Sequence, residues 1–174
     1  MTVTIRQSVP ADAPALHDIR SEVSARQFQP LRRLPLDQFT ETLRHRTAQT
    51  LDASLSGKTQ WTIEVDGVIA GWVTINVTSR EHGVASIGYT IAEAHRGKGV
   101  ATCAVRKVID IAFDPGGLDL HRLEAVAAVA NAASRRVLTK AGFQEEGLAR
   151  GLLVIGGIRV DHLTFGLLRS DLSP

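Results

Sequence analysis

Arg96-Gly97-Lys98-Gly99 stands between two apolar segments of different period, and this junction narrows the folds open to the chain. Before it, residues 84–91 (VASIGYTI) read as a strand. After it, residues 100–113 follow a helical period: Arg106, Lys107, Asp110 and Asp114 fall within a wedge of roughly 100°, leaving the other faces apolar. Glycine is a poor helix former and neighbouring cations repel, so the junction gives up local stability. Its compensation lies at the helix entrance. The first N–H groups of a helix lack internal partners, and the macrodipole adds about half a positive charge there. Glycines let an anion approach this backbone, and Arg96 and Lys98 add charge, which together make a phosphate site.

Two common phosphate loops are excluded by register. A Walker A loop needs a glycine where Ala92 stands and a serine or threonine where Gly99 stands. A dinucleotide fingerprint begun at Gly97 meets Thr102 at its third glycine position, and no acidic residue suitably closes the following strand.

The rest of the chain frames this junction with strands and helices. Residues 2–9 predict a strand, and Asp12 with Pro14 open a helix carrying Leu16, Ile19 and Val23 on one face. Two prolines in "QFQPLRRLP" break it. Residues 36–58 predict a second helix on Phe39, Leu43 and Leu51, with Gly57 as its stop. Asp66-Gly67 signals a type I′ hairpin between two strands. Residues 121–130 form an apolar, central strand, followed by a short helix capped by Asn131 and closed by Gly142. A last hairpin turns at Gly156-Gly157. The order β-α-α-β-β-β-α-β-α-β-β favours a mixed, mostly antiparallel sheet with helices on both faces. With 174 residues and no repeat or linker, residues 1–174 are expected to form a single domain.

Composition removes several classes of function. A net charge of +2 and 5% aromatic residues argue against a nucleic-acid partner. No window approaches the roughly 18 consecutive apolar residues of a membrane span. The N-terminus MTVTIRQSV has no signal-peptide core, so no membrane association is expected and cytoplasmic residence is. The single cysteine, Cys103, has no companion for a disulfide or a zinc site, and no metal is expected.

"IGYTIAEAHRGKGVA" resembles the strand-loop-helix signature of the GNAT superfamily of acyl-CoA-dependent N-acetyltransferases, with Arg96-Gly97-Lys98-Gly99-Val100-Ala101 on its glycine-loop pattern. Downstream, "LEAVAAVANAASRRVLTKAGFQEEG" resembles the family's strand, Asn-x-x-Ser helix and Gly-Phe exit. The likeness covers nearly the whole chain and is closest to the Rim branch, which acetylates ribosomal-protein N-termini.

This resemblance implies a GNAT-like α/β fold and acetyl-CoA as cosubstrate. Backbone amides of Arg96, Gly97, Lys98, Gly99, Val100 and Ala101 would hold the pyrophosphate. Backbone groups of Tyr89, Thr90 and Ile91 would hold the pantetheine arm, as an added strand does, with Asn131 meeting the arm. Ser134, or alternatively Tyr89, would donate a proton to the departing sulfur. The branch also implies a homodimer.

Relatives can carry a carboxylate on the strand after the Gly-Phe exit, where this chain has Leu153. Glu93, Asp161, His162 and Glu64 are left as unranked proton acceptors. An α-amine of pKa about 8 costs about 1.4 kcal/mol to neutralise at pH 7, and a lysine amine about 4.6. Without a strong base, a protein N-terminal α-amine is therefore the favoured acceptor. The alternatives are a small amine (antibiotic, polyamine or amino-acid derivative) and a non-catalytic acyl-CoA-binding module. Phe28, Gln29, Arg32 and Arg33, between the first two helices, are the expected acceptor contacts, the arginines suiting an acidic or phosphorylated group.

Overall fold

The computed structural model describes residues 1–47 and 51–172. Its elements are β1 (Val3–Gln7), α1 (Ala13–Ser21), α2 (Val23–Arg26), α3 (Leu36–Thr47), β2 (Gly57–Val65), β3 (Val68–Ser79), β4 (Val84–Ile91), α4 (Val100–Phe113), β5 (Arg122–Ala128), α5 (Ala132–Lys140), β6 (Gln144–Ile155) and β7 (Ile158–Leu168). The strands form one sheet ordered β1-β2-β3-β4-β5-β7-β6, antiparallel except for β4–β5. The expected mixed sheet is observed, and so is its cover on both faces. Consecutive residues of a strand face opposite sides. Val73 accordingly joins the core beneath α4, while Trp72 packs with Leu16, Phe39 and Leu43 of α1 and α3.

Local signals are realised where they rest on backbone chemistry. Asp66 and Gly67 both take positive φ, 50° and 82°, as a type I′ hairpin turn requires. On α4, the polar wedge of Arg106, Lys107, Asp110 and Asp114 is exposed while Ala104, Val105, Val108 and Ile109 are buried.

Two helices differ from expectation. The first stops at Ser21, because Glu22 leaves the helical region (ψ 137°) before α2 begins. Glu22 there accepts the Glu93 amide at 3.0 Å and lies 3.6 Å from Arg96. The redirection turns Val23 out of the core to 81% exposure. The second helix is described to Thr47 and is absent at residues 51–56, short of the expected stop at Gly57. Residues 48–50 of that expected helix lie outside the described residues. At 51–56 the chain turns, with Asp52 accepting from the Ser54 amide and hydroxyl.

A buried carboxylate ties the first strands to the first helix. Asp12 accepts two bonds from Arg6 (2.8 and 2.7 Å), one from the Val9 amide (2.9 Å) and one from the Thr62 hydroxyl (2.8 Å). Burial alone would raise its pKa, but these donors together hold the carboxyl below its ordinary value.

The sheet's short parallel seam positions the site. β4 and β5 pair only over Val84–Ser86 and Arg122–Glu124. The Gly83 carbonyl pins this seam by accepting the amides of His121 and Arg122. Beyond it β4 stays with β3 and β5 with β7, so a wedge opens between them.

Candidate active site

At one end of the wedge lies the entrance of α4. Gly97 and Gly99 adopt φ of 73° and 80°, left-handed values that glycine takes without steric cost. A Cβ on either would meet no atom within 4 Å, so their free side faces open space. Among the described residues, the amides of 97–102 make no hydrogen bond, and the Cys103 amide is the first to return to the helix, at the Gly99 carbonyl. Such a row of free donors fits a diphosphate.

The side chains beside this loop do something different from what the sequence suggested. Arg96 donates from Nε to the Ile91 carbonyl (2.9 Å), and its amide is taken by the Glu93 carbonyl (3.2 Å). Lys98 folds back onto the Ala94 carbonyl (2.9 Å) and does not line the cleft beside the loop. Free donors therefore start at Gly97 rather than Arg96, and backbone rather than side-chain charge dominates the entrance.

The register with β3 turns the carbonyls of Tyr89 and Ile91 toward the open edge of β4. Gln29 clamps this edge: its Nε2 donates to the Tyr89 carbonyl (3.0 Å) and its Oε1 accepts from the Thr90 hydroxyl (3.2 Å). The loop between α2 and α3 is thereby fastened to the open edge of β4. The two carbonyls expected to hold a pantetheine arm are already engaged by Gln29 and Arg96. The edge amides of Tyr89 and Ile91 remain as donors.

From the other wall, α5 brings Ser134 to Tyr89. The two hydroxyls are 2.8 Å apart, and the phenol also donates to the Ser134 carbonyl at 3.2 Å. Burial raises the Tyr89 pKa and the Ser134 bond partly offsets this, leaving the phenol at about 12. Tyr89 is therefore a protonated donor at neutral pH. Asn131 accepts the Ser134 amide through Oδ1 at 3.1 Å, so it caps α5, while its NH₂ is left for a ligand.

Two cavities meet at this pair. An outer cleft of about 500 Å³ takes in Phe28, Thr90, Ile91, Arg96, Gly97, Gly99, Val100 and Ala101. An inner cavity of about 180 Å³ reaches between β4 and β5 to Leu153 and His162. Phe28, Gln29, Tyr89, Asn131 and Ser134 line both. Arg136 and Lys140 also line the outer cleft and were missed. Their spacing of four on a helix, two and six residues after Ser134, was the available signal. Arg32 and Arg33 are not brought to the Tyr89–Ser134 pair. They line a third cavity of about 300 Å³ with His17, Arg20 and Arg26. No aspartate or glutamate lines any of the three.

Comparison with known proteins gives concordant matches. Residues 2–144 match the family model described as "Acetyltransferase (GNAT) domain". The probable N-acetyltransferase YjcK of Bacillus subtilis is 48% identical over 87 residues, 50% of this chain and 47% of that protein. The matches to the first curated relatives span only 47–59% of those proteins' length. Mycobacterium smegmatis RimJ, solved in complex with CoA-disulfide, superposes with a TM-score of 0.85 at 29% identity, covering 99% of this chain and 84% of that one. The ribosomal-protein-S5-alanine acetyltransferase of Vibrio fischeri gives 0.78 at 25% identity, covering 100% and 97%.

Proposed function

The chain belongs to the GNAT acetyltransferase family, and from that premise we propose that it transfers an acetyl group from acetyl-CoA to a primary amine, a protein N-terminal α-amine being the favoured acceptor. The observation that carries this reading is the Tyr89–Ser134 hydroxyl pair, 2.8 Å apart where the outer cleft meets the inner cavity. The CoA-bound RimJ structure supports coenzyme A as the ligand of the outer cleft.

The reaction uses the chain's own groups as follows. The amides of 97–102 hold the diphosphate, with Arg136 and Lys140 at the cleft wall adding positive charge. The free edge of β4, together with the Asn131 amide, aligns the arm, so that the thioester and the amine meet in one orientation. The amine attacks the thioester carbon directly, and the Tyr89 hydroxyl gives its proton to the departing sulfur. Ser134 holds the phenol in position and relays its replacement proton.

Charge narrows the acceptor. With no carboxylate on the walls of these three cavities, a polyamine finds no counter-charge there among the described residues. Arg20, Arg26, Arg32 and Arg33, which form no ion pair among the described residues, instead suit an acceptor with an acidic group. Arg26 Nε is buried there without a partner. Leu153 in the inner wall favours a second reading, a binding module that keeps the cleft without chemistry.

A panel assay with acetyl-CoA tests both. We expect thiol release with a peptide beginning Ser-Ala-Asp-Asp and little with spermidine. Tight coenzyme binding without thiol release on any acceptor establishes the second reading.

A further inference from the structure

Four side chains could accept the proton that the amine loses, and their surroundings separate them. Glu64 is bound to Arg6 at 2.9 Å on β2. Glu93, exposed after β4, accepts the Ser24 hydroxyl at 3.1 Å. Asp161 accepts the Gly151 amide at 2.6 Å and braces the last hairpin. None of these three lines the outer cleft or the inner cavity, whereas His162 lines the inner cavity with Tyr89 and Ser134. His95 lines only the outer cleft, beside the glycine loop.

His162 is 1% exposed, set on β7 between Ala128 of β5 and Ala149 of β6. Its Nδ1 lies 2.9 Å from the Val160 carbonyl. A carbonyl oxygen only accepts, so Nδ1 carries the hydrogen and Nε2 of the neutral ring holds the lone pair. Nε2 has no hydrogen-bond partner among the described residues. Around the inner cavity, β4 contributes the phenol of Tyr89. The wall residues of β5, β6, α5 and the 27–35 loop contribute no titratable side chain. The cavity thus holds one hydroxyl donor and one ring-nitrogen acceptor, the two functions that acid–base catalysis needs.

We infer that His162 is the general base: its Nε2 takes the amine proton as the C–N bond forms and the C–S bond breaks, while Tyr89 protonates the sulfur. This assignment rests on the acetyl-transfer reading above. The amine loses one proton and the thiolate gains one, so a turnover leaves an imidazolium and a phenolate that solvent protons reset.

The test is His162→Gln in the full chain, assayed with acetyl-CoA and the Ser-Ala-Asp-Asp peptide, beside His162→Ala with and without added imidazole. We expect kcat/KM of the Gln variant to fall by about 10²–10⁴-fold. The calorimetric affinity for acetyl-CoA should be retained, and imidazole should restore turnover to the Ala variant. Wild-type kcat/KM in the Gln variant overturns the assignment while leaving the acetyltransferase reading intact. Loss of rate without imidazole rescue, accompanied by loss of coenzyme affinity, also overturns it and makes His162 structural. A wild-type chain that releases no thiol on any acceptor overturns both readings.

Discussion

The hydroxyls of Tyr89 and Ser134, 45 residues apart in sequence, lie 2.8 Å apart across the wedge between β4 and α5. One comes from a strand and the other from the first turn of a helix whose cap, Asn131, fixes the Ser134 amide. Removing either partner should therefore have a distinct effect.

Tyr89→Phe deletes the proton donor and should lower kcat by about 10²–10⁴-fold with coenzyme affinity unchanged. Ser134→Ala should cost less, because the phenol keeps its bond to the Ser134 carbonyl. Burial favours the neutral phenol, so the wild-type rate should show no alkaline decline near pH 10, where an ordinary tyrosine ionises. A decline there would assign the donor's role to another group. Rates of both variants and the wild-type pH profile check this.

At the helix entrance, Gly99→Val forces a branched side chain into a left-handed φ of 80° and into the space beside the free amides. Losing one or two charge-assisted bonds of about 1.5–3 kcal/mol each should weaken acetyl-CoA binding by about tenfold to about 2 × 10⁴-fold. Gly99→Asn, which tolerates that φ better, separates backbone strain from blocked approach. Calorimetry that finds native affinity in the Val variant would remove the diphosphate from this loop.

Stability should depend on pH through Asp12. Its folded pKa is below the unfolded value, so its contribution is present above the unfolded pKa, about 3.9, and is lost as pH falls through the folded one. Asp12→Asn should remove this acid sensitivity and cost about 2–4 kcal/mol near neutrality, because the charged Arg6 loses its nearest partner. Chemical denaturation at pH 7 and below pH 4 measures both effects.

Charge reversal at Arg32 and Arg33 should raise KM for the Ser-Ala-Asp-Asp peptide more than for an uncharged peptide, with kcat nearly unchanged. For the acidic peptide, added salt should raise the wild-type KM in the same direction, since exposed charges are screened over about 10 Å at 0.1 M salt. Steady-state kinetics at two ionic strengths checks the pair.

Features carried by contiguous residues were legible in the sequence. Residues 84–101 declare a strand, a glycine turn and a helix entrance in one stretch, and Asp66-Gly67 encodes its own turn. Tyr89 and Ser134 were reached only through family resemblance, because nothing in their separate segments says that they meet. The clamp by Gln29 and the displacement of Arg32 and Arg33 were not legible. Both depend on how residues 27–35 cross the sheet, a path set by packing rather than by any periodic pattern. The first helix ends early at Glu22, whose carboxylate meets Glu93 and Arg96, partners some 70 residues away that no local pattern reveals.

With β4 and β5 joined over only three residue pairs, the sheet consists of a four-stranded sector and a three-stranded sector stitched along a short seam. The core beneath α4 runs under both sectors and holds them together, and a molecule that fills the gap adds mortar to that joint as well as being a reactant. An occupied chain should resist opening along this line, and product departure should coincide with the loosening of its two halves.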